Sequence, residues 1–128
     1  MEVVDHYLYT KEHEWVSIED NIATIGITDY AQEALGDITF VELPEVGAEV
    51  EQFEEFAAIE SVKAANDIFA PVSGKVIEVN TRLESDPGLI NKSAFEKGWI
   101  AKVQMSDKEE ASNLMTAEEY QKFLESIG

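Results

Sequence analysis

Short apolar stretches bounded by turn residues run through the first hundred positions and predict a chain built mostly of β-strands. Tyr7-Leu8-Tyr9-Thr10 and Glu14-Trp15-Val16-Ser17-Ile18 have strand composition. Asn21 stands in the turn before Ile22-Ala23-Thr24-Ile25-Gly26, which predicts a hairpin. Thr28 can N-cap a short helix running through Leu35, and Gly36 suits its end. Ile38-Thr39-Phe40-Val41-Glu42-Leu43 is β-branched and partly alternating, so it reads as a strand. Phe56-Ala57-Ala58-Ile59 and Ile68-Phe69-Ala70 are two more short apolar segments. Thr81 to Ser93, with Asp86-Pro87-Gly88 inside it, reads as a loop, and Gly98 to Gln104 alternates as a strand. The pattern then changes. Ser106-x-x-Glu109 and Thr116-x-x-Glu119 have capping-box form and predict helices near 107–113 and 117–126. Leu114, Tyr120, Phe123 and Leu124 would anchor this helical segment, 106–127, to the β core.

A weak internal echo adds to this picture. Pro44-x-x-Gly47 and Pro71-x-x-Gly74 are each followed by an aliphatic position, so two similar turns start two return strands. Between them lies Glu60-Ser61-Val62-Lys63-Ala64-Ala65-Asn66-Asp67, the connection of a hairpin spanning roughly residues 56–70.

The chain has 128 residues, 45% of them hydrophobic, which suits one domain, 1–128, with a modest core. Cysteine is absent, so stability rests on packing, and any redox chemistry needs an added group. No apolar run approaches the length of a membrane span, and no secretory signal precedes the first strand. The sequon Asn91-Lys92-Ser93 is therefore read as chance. The formal charge is −18, and residues 1–60 hold 16 acids against the single base Lys11. Such a surface disfavours nucleic acid and anionic membranes, suits a monomer, and could meet basic faces on larger partners. A solvated acidic face without a partner explains the charge equally well.

Candidate chemistry is sparse. There is no phosphate loop and no zinc-type spacing of Cys or His. His13-Glu14 lacks a second histidine at Ser17, and two histidines without cysteine leave little material for a nucleophile–base pair. An autonomous enzyme is disfavoured. His13, Glu14 and Trp15 read either as a surface His–Glu pair beside a half-buried Trp or as polar groups lining a cleft. Spacing alone makes Lys63 an ordinary turn lysine. Three details favour an attachment point. Ala64 and Ala65 are small, Lys63 is the only base between Lys11 and Lys75, and it lies between the echoing turns.

Glu60-Ser61-Val62-Lys63-Ala64, with Asp67 and Ala70-Pro71-Val72-Ser73-Gly74, resembles the lipoyl-attachment segment of the glycine cleavage system H-protein family. His13-Glu14-Trp15-Val16, Gly26 to Gln32, Leu35-Gly36-Asp37, Val41 to Gly47, Val79-Asn80, Pro87 to Asn91 and Gly98-Trp99-Ile100 also resemble its pattern. Biotin carriers and the lipoyl domains of 2-oxoacid dehydrogenases fit less well, for their lysine neighbours differ from Val62-Lys63-Ala64. Asn66 stands where serine is frequent in the family, and Phe53 where glycine is common.

The resemblance implies a mostly β fold, a barrel-sandwich hybrid with a short internal helix and C-terminal helices. It implies a non-catalytic carrier with lipoate joined covalently to Lys63. The partners it implies are glycine decarboxylase, which loads the aminomethyl group, an aminomethyltransferase, which removes it, and a dihydrolipoyl dehydrogenase, which reoxidises the arm. It also implies a lipoate ligase or a lipoyl/octanoyl transferase, for which Glu60 would mark the hairpin. Glu14 and Asp67, with Glu12 nearby, resemble the carboxylates that hold the loaded arm in a cleft. Gly47 and Gly74 would shape the turns. Bacterial cytoplasm is the expected location, or the mitochondrial matrix for a processed form. Two other readings share these residues: a carrier that relays its lipoyl group to other proteins, and an acidic interaction module without lipoate.

Overall fold

Every strand pair in the computed structural model, which describes residues 2–127, is antiparallel. The elements in chain order are β1 (Leu8–Tyr9), β2 (Glu14–Glu19), β3 (Ile22–Ile27), α1 (Asp29–Leu35), β4 (Ile38–Glu42), β5 (Glu49–Val50), β6 (Glu55–Ser61) and β7 (Ala65–Phe69). They continue with β8 (Gly74–Val79), α2 (Arg82–Ser85), α3 (Leu89–Lys92), β9 (Ala101–Met105), a 3-10 segment (Lys108–Asn113) and α4 (Ala117–Ile127). A six-stranded sheet runs β1-β2-β3-β9-β8-β5, and a three-stranded sheet runs β4-β6-β7. The arrangement agrees with the expected barrel-sandwich.

The sheets enclose two apolar clusters. Ile27, Ile38, Ile59, Ile68 and Ile100 fill one, and Val16, Ile25, Val72, Val76 and Val103 the other. A third cluster lies on the outer face of the larger sheet, where Tyr120 and Leu124 of α4 meet Tyr9, Trp15 and Phe95. Covering both faces of β2 explains why Glu14, Trp15 and Val16 are all buried, against the alternation a half-exposed strand would show. Trp15 faces Gly26 across the β2–β3 pair, and a Cβ on Gly26 would come within 2.6 Å of the indole. Glycine therefore makes room for the ring. Thr28 caps α1 by accepting from the Ala31 N–H at 3.3 Å, and Gly36 ends the helix at φ 79°.

Several expectations need correction. The stretch 81–93 is not a loop but two single-turn helices, because Leu83, Leu89 and Ile90 must all reach the core. The first C-terminal helix is 3-10, and Asp107, not Ser106, caps it by accepting from the Glu109 N–H. The second capping box does form. Thr116 Oγ1 accepts from the Glu119 N–H at 3.2 Å, and Glu119 accepts from the Thr116 N–H at 2.8 Å. The echoing turns do not merely flank Lys63. They lie side by side, for the Gly47 N–H donates to Val76 C=O at 2.8 Å and β5 pairs with β8. Gly74 is held to glycine by crowding, since a Cβ there would sit 2.0 Å from Gln104 O. Gly47 has open space around it and needs only its φ of 97°.

Candidate functional site

Ser61 folds the β6–β7 hairpin. Its hydroxyl accepts from the backbone N–H groups of Lys63 and Ala64, each at 3.1 Å, and its own N–H donates to Ala64 C=O at 2.8 Å. Lys63 is exposed at the tip of this turn. Its side-chain stem leans over Gly36, where an added Cβ would lie 3.3 Å from Lys63 Cε. The turn is also tied to the α1–β4 corner, because the Val62 N–H donates to Asp37 C=O at 3.0 Å. Among the described residues the two ion pairs are Lys102–Glu78 and Lys122–Glu118, so neither Lys63 nor Glu60 is engaged in one. Glu60 is exposed at the end of β6, opposite Ala65.

The corner beneath Lys63 depends on Asn91. Asn91 Nδ2 donates to Gly36 C=O and to Gln32 Oε1, both at 2.9 Å, and Asn91 Oδ1 accepts from the Ile38 N–H at 2.9 Å. A side chain so engaged is structural, which agrees with reading its sequon as chance. Its inclusion in the Pro87–Asn91 resemblance was the available signal. Asn91→Ala is expected to cost about 2–3 kcal/mol, since it leaves partly buried backbone groups unpaired. Urea unfolding checks this, and a change below ~1 kcal/mol would show that water replaces the amide.

Beside the hairpin lies a cleft of about 290 Å³. Glu12, His13 and Glu14 form one wall, α1 presents Tyr30, Ala31, Ala34 and Leu35, and Ala64, Asn66 and Asp67 come from the hairpin. The three predicted carboxylates thus meet in one cavity, which begins at the residue next to Lys63. The small Ala31 and Ala34 leave a trough along α1. A second cavity of about 410 Å³ opens beyond Glu12, between Thr10, Phe53, Phe69 and Met115. It takes no lining from residues 59–68, so it is not the space that Lys63 can enter most directly.

Glu14 is not a surface residue. Only 2% of it is exposed. Its carboxylate accepts from the Thr10 hydroxyl and, at 3.2 Å, from the Phe69 N–H on edge strand β7. It thereby joins the two sheets. Burial pushes its pKa up to about 7, against the opposing effect of these two hydrogen bonds. Burial likewise lowers the pKa of His13, whose ring stacks on Tyr30 at 4.4 Å. Asp67 is exposed on β7, and its hydrogen bond and charge raise the pKa of neighbouring Glu55. That pairing of acids would be relieved by a cation. Asn66 lies within β7, so it lines the cleft without shaping the turn. Phe53 has φ 67° and is half exposed, a backbone state in which glycine is unstrained. This gives a physical reason for glycine at that position in the family.

A family model described as "Glycine cleavage H-protein" matches residues 7–127. The chain belongs to the glycine cleavage H-protein family. The "Glycine cleavage system H protein" of Thermotoga maritima is 56% identical over 115 residues, covering 90% of this chain and 93% of that one. The protein of the same name from Halothermothrix orenii is 47% identical over 127 residues, covering 99% of each. "Glycine cleavage system H protein 2, mitochondrial" of Arabidopsis thaliana is 56% identical over 117 residues, covering 91% of this chain and 75% of its own length. The crystal structure of a glycine cleavage system H protein from Mycobacterium marinum superposes with a TM-score of 0.86 at 38% identity, covering 94% of this chain and 98% of that one. Members of the H-protein family are non-catalytic lipoyl carriers of glycine cleavage, and this chain functions as one.

Proposed function

We propose that this H-protein family member carries lipoate as an amide on Lys63 and keeps the loaded arm in the cleft formed by Glu14, Asp67 and Glu12. The observation that carries the reading is the exposed Lys63, in no ion pair among the described residues, at a hairpin tip whose next residue already lines that cleft. The residues fit the group. Gly36 leaves room for the stem, Ser61 presents the turn, and the small Ala64 and Ala65 leave the amine open to a modifying enzyme. When attached, the lipoyl group supplies a dithiolane that takes up the aminomethyl cargo and electrons, which a chain without cysteine cannot do itself.

The chain's own residues then bind and shelter. Carboxylates of Glu14, Asp67 and Glu12 offer opposite charge to a protonated amine, and the apolar side of α1 excludes water from it. Tethering raises the effective concentration of cargo at each enzyme visited. Those enzymes are glycine decarboxylase, the aminomethyltransferase and the dihydrolipoyl dehydrogenase. The lipoylating enzyme is a lipoate ligase or a lipoyl/octanoyl transferase. Intact and peptide mass of protein made with lipoate available tests the reading. A lipoyl adduct confined to the Lys63 peptide supports it, and its absence returns the chain to an acidic interaction module. Reconstitution with glycine decarboxylase separates glycine cleavage from lipoyl relay.

Glu60 gives the lipoylating enzyme a charge to read, three residues before the lysine and in no ion pair among the described residues. Glu60→Ala is expected to slow lipoylation roughly tenfold, the worth of one charged contact. Initial rates of mass gain measure this, and a wild-type rate would remove Glu60 from recognition.

A further inference from the structure

α4 does more than cover the outer sheet face. Its Tyr120 is fully buried, with its ring stacked on Tyr9 at 4.5 Å and an interplanar angle of 2°. The hydroxyl reaches beyond that stack. It lies 2.8 Å from His13 Nδ1 and 2.8 Å from Thr28 Oγ1. These partners belong to the two walls of the arm cleft. Thr28 N-caps α1, and His13 sits between Glu12 and Glu14. His13 also holds φ 70°, a left-handed state costly for a residue other than glycine, so it needs partners to keep it there.

One hydrogen-bond scheme accommodates all three side-chain contacts. The Thr28 hydroxyl donates to Tyr120, the Tyr120 hydroxyl donates to His13 Nδ1, and Thr28 Oγ1 still accepts from the Ala31 N–H. His13 is then neutral with its proton on Nε2, which agrees with a pKa lowered by burial. A backbone bond from the Thr28 N–H to His13 C=O at 2.9 Å already joins the walls at their base. Tyr120 adds a side-chain tie from an element 92 residues beyond Thr28.

We propose that Tyr120 is a positioning residue for the cleft: its hydroxyl pins His13 to the N-cap of α1 and so fixes how closely the Glu12–Glu14 turn and α1 enclose the cargo's amine. The inference rests on the reading of this cleft as the seat of the loaded arm.

Tyr120→Phe keeps the ring on Tyr9 and removes both hydrogen bonds. In the unlipoylated variant, nitrogen NMR of the His13 ring is expected to show Nδ1 losing its donor. Lipoylation and reoxidation by the dehydrogenase stay at wild-type rates. Ammonia release from the loaded variant becomes about five- to tenfold faster, the order expected for losing two neutral hydrogen bonds. Leu124→Ala loosens the same helix without touching the hydroxyl. It is expected to lower the melting temperature yet release ammonia at the wild-type rate wherever it is folded. A release rate in Leu124→Ala equal to that of Tyr120→Phe would overturn the inference, because helix docking alone would then explain the effect. Wild-type release from folded Tyr120→Phe, alongside fast release from Glu14→Gln, would overturn it while leaving the cleft reading intact. Wild-type release from Glu14→Gln would remove the cleft reading and this inference together.

Discussion

Lys63→Arg is expected to abolish lipoylation, and with it every reaction that depends on the carrier, while leaving the fold as it is. A guanidinium keeps the charge and much of the reach, but it is not the primary amine that forms the amide. The side chain is exposed and in no ion pair among the described residues, so its contribution to stability is small. The urea midpoint should therefore move by an amount corresponding to less than about 0.5 kcal/mol. Mass spectrometry after incubation with lipoate and a lipoylating enzyme should show no gain, and glycine decarboxylase should find no acceptor. A lipoyl adduct elsewhere in the Arg variant would displace Lys63 from its role. Because the fold is unaffected, loss of function here cannot be mistaken for unfolding.

Glu14→Gln is expected to do two opposite things: strengthen the fold at pH 8 and weaken the hold on the loaded arm. The carboxyl is buried and its pKa rises from 4.5 to about 7. Between these values the folded state binds more protons than the unfolded state. Stability from this group is therefore complete below pH 4.5 and falls as pH rises through 7. The loss is on the order of 3 kcal/mol once the carboxylate is ionised. A glutamine avoids it. Its Oε1 can accept from the Phe69 N–H, and its amide can donate to Thr10 Oγ1, so the two sheets remain joined. Urea titrations should show the variant more stable by roughly 2–3 kcal/mol at pH 8 and near parity at pH 4.5, with a flatter profile between. Ammonia release from the loaded variant should be at least about tenfold faster, because a neutral amide cannot pair with the ammonium. Equal pH profiles for the two proteins would show that Glu14 does not carry the buried charge.

The contrast also explains why Glu14 was easy to suspect and hard to place. Its charge at the head of a strand reads more readily as a surface pair beside a half-buried Trp than as a cleft group. The strand pattern gave no warning that both faces of β2 are covered, one by the core and the other by α4. Other differences have their own local causes. The stretch 81–93 reads as a loop because Asp86-Pro87-Gly88 interrupts it, and helices of four residues are too short to show a period. Ser106 offered a capping box, but the chain turns one residue later on Asp107. The Pro-x-x-Gly echo was visible, yet not that its two copies hydrogen-bond to each other.

Local chemistry was legible wherever cause and effect lie within a few residues. Thr28 and Gly36 bound α1, Thr116 and Glu119 cap α4, and a lysine between two short strands marks an exposed hairpin tip. The family pattern, spread from the first strand to the last helix, was legible too, and membership in the H-protein family agrees with it. What the tertiary structure alone decided are contacts between distant positions. Glu14 meets Phe69 across 55 residues, Asn91 meets Ile38 across 53, and His13 meets Tyr120 across 107. No propensity or period specifies such pairs, because they arise when packing the sheets and α4 brings those backbones together. The exposed lysine is a property of one short turn. The cleft beside it is a property of the whole fold.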